Sequence, residues 1–455
     1  MNSSLRKKRW LIVLQIAVFC LSYFSCSLEA KRKIHLSDKI ENLISQKDVK
    51  GLSKLLANIS DEKRIEIARL FLWKKWFSIA QKALKMHHVD YQKKPELYVN
   101  IELMLCFIDI VFLHDYREAR FRLVKIQKIT KSNDKRAKIS FFIGISLYMQ
   151  NRKLESLPWF ELAAKISTKF YGLLSQIFIQ KVLGIYNNFK IFQYQTINML
   201  LTANMQTLIN ALTFQIQNIS YKLRQGDDVN LRESVNNSYI QLKDYIKRIE
   251  QNAFSNYNAF SNYKENKIAQ NIISLHPILS MDKLDFLFSK IKSKKVNSDF
   301  FKTLVHAIIK VESDFIPKAK SSSGARGIMQ IMPKTAKSSF KKLVNSGITS
   351  KNISYNLNLA YDNIVLGWTH MCDLIDSFDN NIILISAAYN CGKQNVEKWT
   401  KNFGYPGKNI PTFAWIELIP FSETRNYVQK IIESFVIYSS LLKTEYLQNV
   451  IWTLF

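Results

Sequence analysis

The stretch FKTLVHAIIKVESDFIP, residues 301–317, holds the pattern on which the fold prediction depends. Its apolar residues recur at helical spacing, and residues 297–299 offer N-cap side chains, so it predicts an α-helix. Counting back in fours from Glu312 reaches Ile308 and Leu304, which puts the Glu312 carboxyl on the apolar stripe. The proline that closes the stretch disfavours helix just before it, so Glu312 falls in the last helical turn.

A carboxyl group in that position is expected to keep its proton near neutral pH. Desolvation on the apolar stripe and the negative end of the helix dipole both favour the protonated form of Glu312. A carboxylic acid that is protonated near neutral pH can act as a general acid. The alternative is a helix-end carboxylate satisfied by a neighbouring lysine or a backbone amide, and only the motifs downstream decide between the two.

Helices dominate the rest of the chain. No stretch alternates with period two over several strands, which predicts an all-α fold. Residues 61–86 and 115–131 have the apolar spacing of helices, and residues 137–184 are typical of stacked helical hairpins. Within that last range, Gly144 and Phe160 have the small and large spacing that lets paired helices pack closely, as in helical repeats.

Glycine and proline usage marks a domain boundary. Seven of the twelve glycines lie between residues 324 and 407, and five of the eight prolines between residues 317 and 420. A helical-hairpin, superhelix-like region is therefore predicted to precede a separate domain that carries loops. Four segments are predicted. They are a signal or anchor segment (residues 1–27), the helical-hairpin region (28–185), a further helical region with linker (186–297) and the second domain (298–455).

The first residues have the pattern of an export signal. Residues 6–9 are all basic, and residues 10–24 form a mostly apolar stretch that is short for a membrane span. Small residues of the kind found at signal-peptide cleavage sites follow, which places the predicted cleavage near Ser27. Cys26 resembles the lipidated cysteine of bacterial lipoproteins, although the aromatic residues at positions 23 and 24 depart from that pattern. Export is predicted, with either simple cleavage or a lipid tether on Cys26.

Charge and cysteine content narrow the choice of partners. The formal net charge of +29 predicts an anionic partner, either nucleic acid, a membrane surface or a cell-wall polymer. The lysines are scattered over helix faces instead of forming one basic motif with aromatics, so we expect no nucleic acid. Cys106, Cys372 and Cys391 have no metal-ligand spacing, and we expect neither a metal nor a cofactor. A Cys372–Cys391 disulfide and buried free thiols both stay open.

Four motifs follow one another from Glu312 onward. Each taken alone has a structural explanation, such as methionine packing in a core or a glycine that ends a helix. The glycines of the second motif also permit a backbone path that approaches a ligand closely. The four motifs are Glu312-Ser313 with Ser321, GARGIMQIMP (324–333), AAYNCG (387–392) and WIELIPFSETRNYV (415–428).

Together and in this order, the motifs closely resemble those of the soluble lytic transglycosylases. The resemblance covers residues 298–430, and Phe170-Tyr171-Gly172 resembles an element of the helical superhelix that precedes the catalytic domain in larger members. It implies a lysozyme-like helical domain that cuts the β-1,4 bond between N-acetylmuramic acid and N-acetylglucosamine in periplasmic peptidoglycan strands. The cleavage uses no water, because the muramyl 6-hydroxyl attacks its own anomeric carbon and leaves a 1,6-anhydro end.

The same resemblance implies roles for individual residues. Glu312 matches the catalytic residue, which protonates the glycosidic oxygen and then accepts the proton of the 6-hydroxyl. Tyr389 matches a tyrosine that faces the reacting sugar, with Asn390 supporting it, and Ser321 matches a contact to the muramyl N-acetyl group. Cys391 stands where the family has a small alanine, which leaves the chemistry intact. The other implied substrate-binding residues are Gly327, Gln330, Met332, Glu423, Arg425 and Tyr427.

Two other functions stay open at this point. A lysozyme-type hydrolase on the same fold would use a second carboxylate, but the nearest acid in sequence, Asp314, is off the helix face of Glu312. More distant acids such as Asp362, Asp373 and Glu397 have nothing that marks them as a partner. The other alternative is a non-catalytic helical scaffold that only holds glycan, and the intact Glu312 with all four motifs argues against it.

Overall fold

The computed structural model describes residues 48–167, 169–183 and 298–442, together with positions 42, 43, 45, 279 and 289–291. Among these residues the regular secondary structure is helical, and extended pairing is limited to isolated bridges such as the one between Lys320 and Arg326. The all-α prediction is therefore confirmed. The predicted targeting segment with Cys26 and most of the region between the two predicted domains lie outside the described residues.

The described helices fall into two compact units, one ending at Leu113 and the other starting at His114. The described part of the first unit has four α-helices, the last of which continues into a π-helical turn at Asp109–Leu113. The four are α1 (Val49–Ala57), α2 (Asp61–Trp73), α3 (Phe77–Lys85) and α4 (Pro95–Ile108).

The prediction of one helix over residues 61–86 is wrong, because the chain turns between α2 and α3. Lys75 has a left-handed φ of 61°, and the amide of the next residue donates to the Phe71 carbonyl at 2.8 Å. No glycine or proline marks this turn, so the sequence pattern does not reveal it. The turn lets α3 pack back against α2, which buries Phe71 completely.

The second unit begins with two helical hairpins. The helices predicted over residues 115–131 and 137–184 are confirmed as α5 (Tyr116–Ile129), α6 (Asn133–Tyr148), α7 (Lys153–Ile166) and α8 (Phe170–Leu183). The packing of α6 on α7 depends on Gly144, because a Cβ at that position would lie 2.6 Å from the Phe160 ring. The small and large pair predicted from the sequence therefore does sit at a close helix crossing.

Among the described residues of the second unit, six further helices surround one buried helix. That helix is α9 (Ser298–Ser313), in which every side chain from Phe300 to Ile309 is buried. Phe300 packs on Phe435 with ring centroids 5.5 Å apart, and Phe301 packs on Trp368 at 4.2 Å. The others are α10 (Pro333–Asn345), α11 (Ala360–Phe378), α12 (Ile382–Cys391), α13 (Lys393–Phe403), α14 (Thr412–Leu418) and α15 (Ser422–Leu441).

Membrane spans and metal clusters are missing from the part of the chain that the structure describes. No helix there has the length and apolar content that crossing a membrane requires. Nowhere in the same residues do three or more histidine, cysteine or acidic side chains gather as a metal site would need. Cys106, Cys372 and Cys391 are not joined in disulfides, and the first two of them are buried.

Candidate active site

Glu312 occupies the last turn of α9, as the helix pattern predicts. Its side chain is half-buried, and burial is the main cause that raises the pKa of this carboxyl from 4.5 to about 7. The Tyr427 hydroxyl interacts with the carboxylate and opposes the rise, whereas the negative charge of Glu423 adds to it. A large part of the Glu312 population therefore carries its proton at neutral pH, which is what a general acid requires.

Two tyrosine hydroxyls lie near the Glu312 carboxyl. Tyr427 Oη is buried and has no well-aligned hydrogen-bond partner, so its contact with Glu312 does not have the geometry of a regular hydrogen bond. Tyr389 Oη donates to the Met329 carbonyl at 2.9 Å. Burial raises the pKa of both hydroxyls well above 10, and the charge of Glu312 raises them further. Both phenols are therefore neutral at any physiological pH and can act as hydrogen-bond donors.

The backbone reverses direction directly after Glu312. Asp314 and Phe315 have left-handed φ values of 51° and 64°, a conformation that costs free energy for residues with side chains. The reversal brings the glycine-containing loop, which holds the second motif (residues 324–333), back to the end of α9. Ser313 Oγ donates to the Ile328 carbonyl at 2.6 Å, which fastens that loop next to the catalytic candidate.

Asn363 of α11 holds the glycine-containing loop through side-chain hydrogen bonds. Its side chain is fully buried; Oδ1 accepts from the Met329 amide at 2.8 Å, and Nδ2 donates to the Arg326 carbonyl at 2.8 Å. Gly327 has a φ of 83°, and a Cβ there would lie 2.1 Å from Asn363 Nδ2. Asn363 is not among the residues predicted from the sequence, where its only signal is a polar residue on the apolar face of a helix.

The predicted substrate residues of the loop bond mainly within it. Ser321 Oγ accepts from the Ala325 amide at 3.0 Å. Gln330, with a left-handed φ of 48°, donates from Nε2 to the Gly327 carbonyl at 2.9 Å. Met332 caps α10 and is 43% exposed, so its apolar side chain is available to a ligand. These bonds shape the loop, and Met329 joins it to Tyr389.

The third and fourth motifs meet through polar contacts. Thr424 Oγ1 donates to Asn390 Oδ1 at 2.6 Å, which ties the end of α12 to the start of α15. Arg425 donates from Nη1 to the Ile419 carbonyl at 2.6 Å and so braces the turn that precedes α15. The structure thus brings Glu312, Tyr389, Tyr427 and Glu423 together, while Asn390 and Arg425 hold the backbone that presents them.

A second carboxylate lies near Glu312, but it does not belong to any of the three distant acids considered from the sequence. Each of those three has a hydrogen-bond or ion-pair partner other than Glu312. Asp362 accepts from the Asn356 amide at 2.8 Å, Asp373 pairs with a lysine of α10, and Glu397 pairs with a lysine of its own helix. The acid close enough to raise the Glu312 pKa is Glu423, an exposed residue in the first turn of α15. It was predicted as a substrate contact, since spacing alone did not reveal how close it lies to Glu312.

Known proteins share this domain. Residues 289–410 match the family model described as Transglycosylase SLT domain. The soluble lytic murein transglycosylase of Escherichia coli K12 is 40% identical over 126 residues, which are 28% of this chain and 19% of that protein. The one from Salmonella typhimurium LT2 is 37% identical over 134 residues, or 30% of this chain and 20% of that protein. The matched segment thus spans about a fifth of the length of these relatives.

Among solved structures, the X-ray structure of an inactive mutant of lytic transglycosylase Slt from Pseudomonas aeruginosa resembles this fold. It is 21% identical with a TM-score of 0.50, and the match covers 85% of this chain and 58% of that one. Identity at that level supports the fold alone. The family resemblance predicted from the four motifs is confirmed by the domain match and by the named relatives.

The raised pKa of Glu312 predicts a pH-dependent cost in stability. The folded state favours protonated Glu312. The stability that this protonated group contributes is fully present below the unfolded pKa of 4.5 and is lost as the pH rises through about 7. Glu312→Gln removes the titration, and we expect it to raise the free energy of unfolding by up to about 3 kcal/mol at pH 8. At pH 4 the two proteins should have equal stability. Denaturant unfolding at both pH values measures the difference, and an equal gain at pH 4 would contradict this explanation.

Proposed function

We propose that this chain is an exported lytic transglycosylase that cleaves peptidoglycan strands between N-acetylmuramic acid and N-acetylglucosamine and leaves 1,6-anhydromuramyl ends. The observation that carries the proposal is the half-buried carboxyl group of Glu312, whose pKa of about 7 lets it serve as acid and then as base. The SLT domain match and the named relatives support the same reaction class.

The proposed reaction has two proton transfers through one carboxyl group. Protonated Glu312 gives its proton to the glycosidic oxygen while the bond from that oxygen to the muramyl anomeric carbon breaks. The carboxylate then takes the proton of the muramyl 6-hydroxyl as that oxygen bonds to the same carbon. A pKa near 7 suits both steps, because neither protonation state is strongly disfavoured. No water is consumed, so the product is lighter by one water than a hydrolysis product.

The residues around Glu312 supply positioning in this proposal. Tyr389, held by the Met329 carbonyl, presents a neutral hydroxyl near the reacting sugar, and Asn390 keeps the end of its helix in place. The exposed Met332 offers an apolar surface for a sugar ring. The loop that contains the other predicted substrate contacts, Ser321, Gly327 and Gln330, is shaped by its own hydrogen bonds before substrate arrives.

A lysozyme-type hydrolase is the second candidate, and the position of Glu423 favours considering it. Ordinary glycosidases place a second carboxylate across the scissile bond, either as nucleophile or as the base that activates water. Glu423 carries a carboxylate, is exposed and is near enough to influence Glu312. In the transglycosylase reaction the same residue would only tune the pKa of Glu312 or contact substrate.

Export belongs to the proposal as well. The basic residues 6–9 and the apolar residues 10–24 support transfer to the periplasm, where the wall polymer lies. The net charge of +29 would increase encounters with an anionic polymer and should have less effect as salt rises. Processing would end either in cleavage near Ser27 or in lipidation of Cys26, and a lipid on Cys26 would tether the enzyme to a membrane.

Product masses test the reaction. Wild-type protein incubated with purified peptidoglycan should release muropeptides lighter by one water than their reducing counterparts, and Glu312→Gln should release none. The variant is nearly isosteric and keeps the fold, but it has no proton to donate, so we expect a loss of at least about a hundredfold. Substantial turnover by the variant would remove Glu312 from its role. Reducing-end products from the wild type would support the hydrolase instead.

A second variant separates the two roles of Glu423. Glu423→Gln removes a negative charge, so the pKa of Glu312 should fall and the alkaline limb of the kcat profile should move to lower pH. If Glu423 only tunes Glu312, turnover at pH 5 should stay within about tenfold of wild type. If Glu423 is the second carboxylate of a hydrolase, turnover should collapse at every pH. Asp373→Gln offers a control, since its carboxylate pairs with a lysine elsewhere.

The N-terminus can be determined on protein isolated separately from the membrane and periplasmic fractions of the cells that produce it. Mass spectrometry of the mature chain should show either a cleaved soluble N-terminus near Ser27 or a lipid-modified Cys26. Cys26→Ser should move a lipidated protein from the membrane fraction to the soluble fraction. An intact Met1 on protein that stays in the cytoplasm would contradict export.

A further inference from the structure

Glu417 lies in the fourth motif, yet the proposed reaction gives it no role. It belongs to the seven-residue helix α14 and is only 4% exposed. A carboxylate buried to that degree is costly unless hydrogen bonds and an opposite charge compensate it. The compensation comes from the helical hairpins: Lys138 Nζ of α6 lies 2.7 Å from Glu417 Oε1, and the Tyr171 hydroxyl of α8 donates to the same oxygen.

Aromatic packing seats the same short helix on the hairpins. Phe413 of α14 packs against Phe141 at 5.5 Å and Phe142 at 6.1 Å between ring centroids. Lys138 Nζ lies 5.1 Å from the Tyr171 ring centroid, within the range of a cation–π contact. The buried ion pair therefore sits beside an apolar contact, where removal of one partner leaves an uncompensated group.

From α14 the chain leads directly to the residues around Glu312. The Ile419 carbonyl, one residue beyond α14, accepts the hydrogen bond from Arg425, and Glu423 and Tyr427 follow in the first turns of α15. A second anchor acts on α15 itself, because the Phe170 amide donates to Glu433 Oε1 at 2.9 Å. The hairpins thus hold both the helix before the fourth motif and the helix that carries it.

We propose that Lys138, Tyr171 and Glu417 form a positioning network through which the helical hairpins fix the fourth motif against Glu312. The proposal rests on the proposed transglycosylase function. It gives the hairpin region a part in catalysis without any contact to substrate. When the network is weakened, α14 and the start of α15 become mobile, and Glu312 becomes better solvated. Because burial is the main cause of the raised Glu312 pKa, that pKa then falls.

The test uses the full chain with Tyr171→Phe, which keeps the ring and removes the hydroxyl, and Lys138→Met, which keeps much of the length and removes the charge. Lys94→Met is the matched control, since Lys94 and Glu62 also pair at 2.7 Å but are exposed and belong to the other compact unit. Thermal melts first confirm that each variant is folded at the assay temperature. The two readouts are hydrogen–deuterium exchange of residues 412–427 and the pH profile of kcat.

We expect both network variants to exchange residues 412–427 several-fold faster than wild type, and kcat at pH 7 to fall by about tenfold because the site is misplaced. The alkaline limb should also move to lower pH, while the control matches wild type in every measurement. Wild-type exchange in the variants would overturn the network. Faster exchange with an unchanged kcat and pH profile would make the network merely structural and would overturn its positioning role. Absence of cleavage by the wild type would instead count against the proposed function, and exchange would still show whether the hairpins hold the motif.

Discussion

The site depends on keeping one carboxyl group partly out of water at the end of a buried helix. The apolar side chains that make α9 the central helix also remove solvent from Glu312, which is what raises its pKa to about 7. Packing and chemistry therefore share one cause. The same burial costs stability whenever the carboxyl ionises, and the surrounding core has to offset that cost. An exposed position at a helix end would have given an ordinary carboxylate without the proton that the proposed reaction requires.

Three residues with a strained backbone lie where that carboxyl meets a loop. Asp314, Phe315 and Gln330 all have left-handed φ values although none is a glycine. Such conformations persist only when neighbouring contacts enforce them, and here the contacts are the Ser313 bond to the loop and the Asn363 side chain beneath it. The loop is therefore shaped before substrate binds, which lowers the entropy that binding must overcome. Rigidity in this part of the site comes from side chains with no direct chemical role.

The sequence revealed the parts of this protein that depend on local pattern. The helix bearing Glu312 and its position in the last turn follow from spacing within a few residues. The Gly144 crossing follows from a small and a large residue on neighbouring predicted helices. The break at Lys75 did not, because no glycine or proline marks the left-handed residue there, which the packing of α3 on α2 and backbone hydrogen bonds stabilise. Contacts across long separations were also out of reach: Glu423 beside Glu312, Asn363 beneath the loop, and Lys138 with Glu417. A one-dimensional pattern identifies the residue types of a site but not which distant residues meet.

The closeness of Glu423 makes the choice between hydrolysis and internal transfer a question of competition between nucleophiles. A base near the acid can activate water, but water must first enter and be ordered against the anomeric carbon. In the proposed substrate the muramyl 6-hydroxyl is already bonded to the reacting ring, and a well-oriented internal group acts at an effective concentration of at least roughly 10⁵ M. Water at its bulk concentration is outcompeted when the sugar is held with that hydroxyl above the ring. In the proposed reaction, the positioning residues around Glu312 and the elements that hold them would then determine the outcome more than the presence of a second carboxylate does.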